Sequence, residues 1–416
     1  MEHKPRRDGV LVAITTNKIM PRFSKAVSSL RSSEIRDLMT LASRPDIISF
    51  AGGMPGNDLF PVQEIEDLFK ALDIKKKRIA FQYGPTPGLP SLLESLSGFL
   101  EKKGLPVHSN RLLITTGSQQ GLNLLGKAFI DPHDPVLVEN PCFIGALSAF
   151  RSYDAELRGV PVDRDGIVMK ALQQEIDKKE KPKFLYITPY FHNPAGLLYS
   201  SERKEQLITA LQGRDIPLIE DDAYGDLYFY EEDREQLKPI KAINPEGIEI
   251  CYTGSFSKIL GPGLRLGWML VPEEIYQKCE LIKQSADACS PSFTQVLADE
   301  FIRSGQIYSY IATVRQEYKR RANAMVAALR EHLPDYVQWN EPRGGFYLWL
   351  TLPEETDATK IVQLAIEGGA VFVIGKTFDP AGKRNNSLRL SYCNNTPEQI
   401  AEGIPIVARA IRQVCG

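Results

Sequence analysis

What the 416-residue sequence lacks narrows its class before any motif is read. Its six cysteines (Cys142, Cys251, Cys279, Cys289, Cys393, Cys415) form no C-x-x-C pair and stand in no zinc-ligand spacing with the five histidines, so no metal site is assigned and a reducing compartment fits. Neither sign of charge is in excess: 50 Lys and Arg face 52 Asp and Glu, which leaves no global field for a nucleic acid or an acidic membrane. No uninterrupted apolar stretch approaches the roughly 20 residues of a membrane-spanning helix. The basic start "KPRRDGVLVAI" resembles a signal peptide, but its apolar run is shorter than the roughly 7–15 residues such a segment needs. A cytoplasmic protein is expected, with a short N-terminal arm.

What is present is alternation. From about residue 111, short apolar or β-branched runs ("RLLITTG", "PVLVEN", "FLYITPY", "IPLIEDDAY", "IEICYTGSFSK", "RLGWMLVP") are separated by helical patterns such as "SQQGLNLLGKAF" and "SERKEQLITALQG". That order predicts an α/β domain with a mostly parallel sheet covered by helices. A helical stretch from about 272 to 333 follows, then "YVQWN", "GGFYLWLTL", "AVFVIG" and "SLRLSYC" broken by one helix, the pattern of a smaller α+β domain. The expected division is an arm over 1–55, a large domain over 56–300 and a small one over 301–416. No repeat or low-complexity segment interrupts it.

Ligands of parallel sheets sit beyond the carboxyl ends of the strands, so the loops there are searched for chemistry. "TTGSQQG" places Gly117 in the turn and Ser118 at the expected helix N-cap, where amides and a hydroxyl suit a phosphate; taken alone, ordinary capping is the commoner explanation. "YFHNPAG" presents Asn193 in a common turn dipeptide. "LIEDDAYGD" ends an apolar strand on Asp221 and Asp222, a depth at which a carboxylate needs a partner, with Tyr224 close behind. "SFSKILGPGLRLGW" gathers Ser255, Ser257 and Arg265, a fork and hydroxyls for a phosphate dianion, around Lys258. A lone lysine is ordinarily a solvated one. Beside a phosphate site and a buried carboxylate, Lys258 points instead to pyridoxal phosphate held as a Schiff base. "GPGLRLG" is near a dinucleotide fingerprint in letters, yet it follows the lysine loop and leads into a strand, which excludes that reading.

With "AGGMPGNDLFP", "QYGPTPGLPSLLESL", "TTGSQQGL", "HNPAG", "EDDAY", "SFSKILGPGLRLGW" and "PRGGFYLWL" in this order, the chain resembles the fold-type I, class I/II aminotransferases, most closely the kynurenine/2-aminoadipate branch. The resemblance implies a large domain with a seven-stranded sheet between helices, pyridoxal 5'-phosphate, and a homodimer with shared sites. It makes Lys258 the coenzyme-linked lysine and Asp221 the partner of the ring nitrogen, with Asn193 and Tyr224 on the ring oxygen and Phe143 stacked on the ring. Ser118, Gln119, Ser255, Ser257 and Arg265 then hold the phosphate. Tyr83 resembles a tyrosine that reaches the phosphate from the neighbouring subunit, though a packed aromatic in a turn is the plainer reading. Arg389 matches the clamp for the substrate α-carboxylate; without the family it reads as the solvent side of a strand. Gly53 resembles a backbone contact to substrate, with turn geometry as the alternative.

The implied activity is ping-pong transfer of an α-amino group from an aromatic, hydrophobic or 2-aminoadipate-like amino acid to a 2-oxo acid such as 2-oxoglutarate. Pocket edges are expected at Arg22, Phe23, Leu30, Arg31 and Arg36, and at Phe346 and Tyr347. Two alternatives stay open: another pyridoxal reaction such as β-elimination or decarboxylation, and a non-catalytic effector-binding module.

Overall fold

A computed structural model of the chain describes residues 44–243 and 247–416. The expected pocket edges Arg22, Phe23, Leu30, Arg31 and Arg36 lie outside the described residues, as does most of the arm.

After β1 (Ile48–Ser49), the chain builds one large sheet from β2 (Arg111–Thr115), β3 (Pro135–Asn140), β4 (Glu156–Asp163), β5 (Gly166–Ile167), β6 (Leu185–Ile187), β7 (Leu218–Asp222), β8 (Ile250–Ser255) and β9 (Gly267–Val271). The spatial order is β2-β9-β8-β7-β6-β3-β4-β5. Neighbours from β8 through β4 run parallel, and β9 is antiparallel to both β8 and β2. Seven strands form the body as expected; an eighth, the two-residue β5, adds an antiparallel edge to β4.

Alternate residues of the central strands feed two apolar layers. Val136, Val138, Tyr186, Ile219 and Cys251 pack with Leu122, Leu125, Leu147 and Phe150 of helices Ser118–Phe129 and Ile144–Arg151. Leu137, Leu185, Ile187, Leu218 and Ile250 pack on the opposite face with Leu172, Leu207 and Leu211 of helices Met169–Ile176 and Ser201–Leu211. Burial on both faces is why these strands read as continuous apolar runs.

The helical stretch resolves into three helices, Glu273–Ala286, Ser292–Arg303 and Gln306–His332. A second sheet of β10 (Gln338–Trp339), β11 (Tyr347–Thr351), β13 (Val373–Ile374) and β14 (Ser387–Ser391) follows, antiparallel in the order β10-β11-β14-β13. β1 pairs in parallel with β12 (Ala370–Val371) as a separate two-stranded sheet, tying the start of the described chain to its C-terminal part. Among the described residues no helix is long and apolar enough to cross a membrane.

Candidate active site

The carboxyl ends of β2, β3, β6, β7 and β8 open on one edge of the large sheet, and a cavity of about 480 Å³ lies there. That volume falls within the roughly 300–1,000 Å³ of small-molecule sites. Ser118, Gln119, Phe143, Asn193, Asp221, Tyr224, Ser255, Ser257, Lys258, Arg265, Arg389 and Gly53 all line it. Tyr83 does not; it is 86% exposed, so the packed-aromatic reading does not describe it in a single chain.

Asp221 and Asp222 part ways because successive strand residues face opposite sides. Asp222 turns away from the cavity, accepting from Tyr252 at 2.5 Å and from the Gly225 amide at 2.7 Å, with Lys103 at 3.4 Å. Asp221 lines the cavity and accepts only hydroxyls, Thr253 at 2.8 Å and Tyr186 at 2.9 Å. Burial pushes its pKa up to about 6; the two hydroxyls act against that, and the charges of Asp222 and Glu139 add to it. A carboxylate so placed has room for one hydrogen-bonding cation from the cavity side. Thr253 and Tyr186 were not singled out from the sequence, although both sit in the quoted strand runs, at positions whose side chains the buried carboxylate needs as donors.

Lys258 is partly buried, and its Nζ donates to the Gly53 carbonyl at 2.7 Å. Burial lowers its pKa to about 8, with Arg389 and Arg265 pulling the same way and Cys393 opposing. No carboxylate pairs with it among the described residues. The amine is therefore available as a neutral nucleophile far below the ordinary lysine range.

The phosphate-cradle candidates meet at the start of helix Ser118–Phe129. Gly117, not Ser118, is the N-cap: its φ of 76° lies in the left-handed region, and Ser118 is the first helical residue with a hydroxyl spared from capping. A Cβ on Gly117 would come within 3.0 Å of the Arg265 guanidinium, so at this left-handed φ a side chain would press on the arginine that lies across the turn. Arg265 touches only carbonyls, Pro262 at 3.2 Å and Thr116 at 3.4 Å, and pairs with no acid among the described residues. Ser255 and Ser257 share a hydrogen bond at 2.8 Å beside it. The Gln119 side chain is engaged elsewhere, donating to the Gly145 carbonyl at 2.8 Å, which leaves its backbone amide as the free donor. Phe143 lies against Gly145, where a Cβ would come within 2.5 Å of its ring.

Arg389 is 3% exposed, which rules out the solvent-side reading: every residue of β14 is buried, so the strand has no solvent side. Its guanidinium donates to Asn193 Oδ1 at 2.8 Å and to the Ala51 carbonyl at 2.5 Å, and stacks on Tyr347 at 4.4 Å. No acid pairs with it, and its Nε finds no partner among the described residues. A buried guanidinium in that state has the donors and the uncompensated charge to accept a carboxylate.

Together these groups fit the coenzyme. An anion cradle at a helix start, a depressed amine, an uncompensated buried carboxylate and an aromatic face share one cavity. The groups match a phosphorylated pyridine aldehyde at its phosphate, its aldehyde carbon and its ring nitrogen.

Comparison with known proteins agrees. Residues 46–406 match the family model for aminotransferase class I and II. The chain is 36% identical over 396 residues, 94% of each sequence, to aromatic-amino-acid aminotransferase 1 of Thermococcus litoralis. It is 37% identical to the 2-aminoadipate transaminase of Thermus thermophilus, covering 94% of this chain and 96% of that one. Among solved structures, the Pyrococcus horikoshii kynurenine aminotransferase in complex with PMP superposes with a TM-score of 0.90 at 37% identity, over 94% of this chain and 97% of the other.

Proposed function

The chain belongs to the class I and II aminotransferases, a pyridoxal-phosphate-dependent enzyme of amino-group transfer, and from that premise we propose how its residues divide the work and which donors it takes. The coenzyme, when bound, supplies the electron sink for the bond broken at the donor Cα. Lys258 would hold it through its amine and, when free, would serve as the base that takes the donor's Cα proton and as the acid that returns it. Asp221 would accept a hydrogen bond from the ring nitrogen and favour its protonated form. Asn193 and Tyr224 serve the ring oxygen, and Phe143 covers the ring face. Ser118, Gln119, Ser255, Ser257 and Arg265 grip the phosphate.

Arg389 takes the donor's α-carboxylate with Asn193 beside it, and Gly53 lets the substrate approach the backbone. Donor and acceptor use the same clamp in turn, the first leaving as a 2-oxo acid before 2-oxoglutarate enters. In this reading the coenzyme unit spans 56–300, a smaller unit spans 301–416, and residues 1–55 join the latter through β1. Tyr83, exposed and away from its own cavity, completes the opposite site of a homodimer. A cytoplasmic setting belongs to the same reading, supported by six unpaired cysteines.

The observation that carries the substrate reading is the assignment of every cation of the described cavity: Lys258, Arg265 and Arg389 are each committed, while Met54, Ile144 and Tyr347 supply apolar wall. Long hydrophobic and aromatic donors are preferred. The relatives named for aromatic amino acids and kynurenine favour this. A 2-aminoadipate-like side chain needs a further cation, for which Arg22, Arg31 or Arg36 is available in sequence. The test incubates the purified protein with 2-oxoglutarate and single amino acids and measures glutamate. Glutamate from phenylalanine or leucine is expected. Release of ammonia or carbon dioxide without glutamate indicates a lyase or decarboxylase, and no turnover with any donor an effector-binding module; either result overturns the reading.

A further inference from the structure

One side chain of the cavity wall touches three of its working parts, and its hydroxyl has no role in the reading above. Tyr347 opens β11 in the second sheet, is 2% exposed, and faces Tyr224, which follows β7 of the large sheet. Their hydroxyl oxygens are 3.1 Å apart and their rings meet edge to face, centroids 5.7 Å apart at 79°. The Tyr347 ring also lies under the Arg389 guanidinium. Its hydroxyl fills the space above Gly53, where a Cβ would come within 1.9 Å of the oxygen.

We propose that Tyr347 is a positioning residue: its hydroxyl donates to the hydroxyl of Tyr224 and so turns the Tyr224 proton toward the cavity, while its ring supports Arg389. The inference rests on the functional reading above, in which Tyr224 serves the coenzyme oxygen. A phenol has one proton to give and lone pairs to receive. If Tyr224 spends its proton on Tyr347, nothing remains for the cavity; with Tyr347 as donor, the Tyr224 proton is free. Accepting a hydrogen bond also strengthens the one that Tyr224 makes in turn. Other contacts hold the pair in register: Phe346 packs edge-on against Tyr224 at 5.4 Å, and Gly53 backs Tyr347. The titratable or charged groups acting on the pair are Lys258, 5.8 Å over the Tyr224 ring, and Arg389 and Cys393. The hydroxyl pair thus links the large sheet to the second one through the residue that orients the carboxylate clamp.

The test uses coenzyme-loaded protein and four forms: unaltered, Tyr347→Phe, Tyr224→Phe and the double variant. The readouts are the pH midpoint of the visible absorption change, kcat, and KM for the donor. A donor on the coenzyme oxygen withdraws charge and lowers the proton affinity of the neighbouring lysine nitrogen, so weakening it raises the midpoint. Tyr347→Phe is expected to raise it by roughly half a pH unit and to lower kcat severalfold. KM should stay within about twofold, because the ring remains under Arg389. In the Tyr224→Phe background the same change should add nothing further. An unchanged midpoint and kcat in Tyr347→Phe, or equal shifts in both backgrounds, overturns the proposal. Absence of any coenzyme band in the unaltered protein overturns the functional reading and this one with it.

Discussion

Asp221 shows at the scale of one residue how a site is built against stability. Its pKa is raised, so below the unfolded value it is neutral in both states, and its contribution to stability is lost as pH climbs through about 6. At neutral pH the coenzyme-free protein therefore carries an ionised carboxylate with hydroxyls but no cation. Asp221→Asn is expected to raise the thermal midpoint of the coenzyme-free protein at pH 7.5 relative to the parent, a gain that vanishes near pH 4, while kcat falls at least a hundredfold for want of a charged partner on the ring nitrogen. Calorimetry at the two pH values checks the first part; equal midpoints at both would refute it.

Lys258 gives a second pH signature. An amine lowered to about 8 is neutral at pH values where an ordinary lysine is still protonated. Capture of added pyridoxal phosphate by the coenzyme-free protein, followed by stopped-flow absorbance, should accelerate with pH and level off just above 8. A rate still climbing at pH 10 would place the amine in the ordinary range. Arg389→Ala removes two charge-assisted donors from the carboxylate and is expected to cut kcat/KM by on the order of a hundredfold or more, chiefly through KM. An unchanged KM would remove Arg389 from the clamp.

Legibility differed from residue to residue for physical reasons. Lys258, Arg265 and the two serines share one local loop, and spacing alone brought them together. Choosing Asp221 over Asp222 took the resemblance; the structure adds the strand alternation that sends one carboxylate to the cavity and the other to Tyr252 and Lys103. Arg389 misleads because alternation with leucines implies a wet face, whereas β14 is covered on both sides. The cap expected at Ser118 falls one position late, because Gly117 takes it with a φ of 76° that leaves Ser118 as the first helical residue.

At the scale of elements, the parallel strands announced themselves as apolar runs bounded by Gly, Pro, Asn and Asp. β4 did not, since "ELRGVPVD" carries charges, a glycine and a proline and is only partly covered. The edge strand β5, two residues long, leaves no periodicity to read. The turn between β2 and its helix belongs to this scale as well. Gly117→Ala forces a side chain into the left-handed region and against Arg265, so coenzyme affinity measured by equilibrium dialysis should drop at least tenfold. Unaltered affinity would show that the cradle does not depend on that turn.

Across the whole molecule, the cavity draws residues from sequence positions more than 300 apart. Arg389 of the second sheet reaches Asn193 and Ala51, Tyr347 reaches Tyr224, and Lys258 holds the Gly53 carbonyl. No local window contains these pairings, which is why the surroundings of Arg389 and Tyr347 were accessible only through resemblance or coordinates. The same long-range contacts make the site depend on how the two sheets are held together.

The most direct measurement is chemical. Coenzyme-loaded protein is reduced with borohydride, digested, and its peptides mapped by mass spectrometry. A phosphopyridoxyl group on the peptide containing "SFSKILGPG", at Lys258, is expected. An unmodified Lys258, or the label on another lysine, would contradict the central claim that this amine holds the coenzyme.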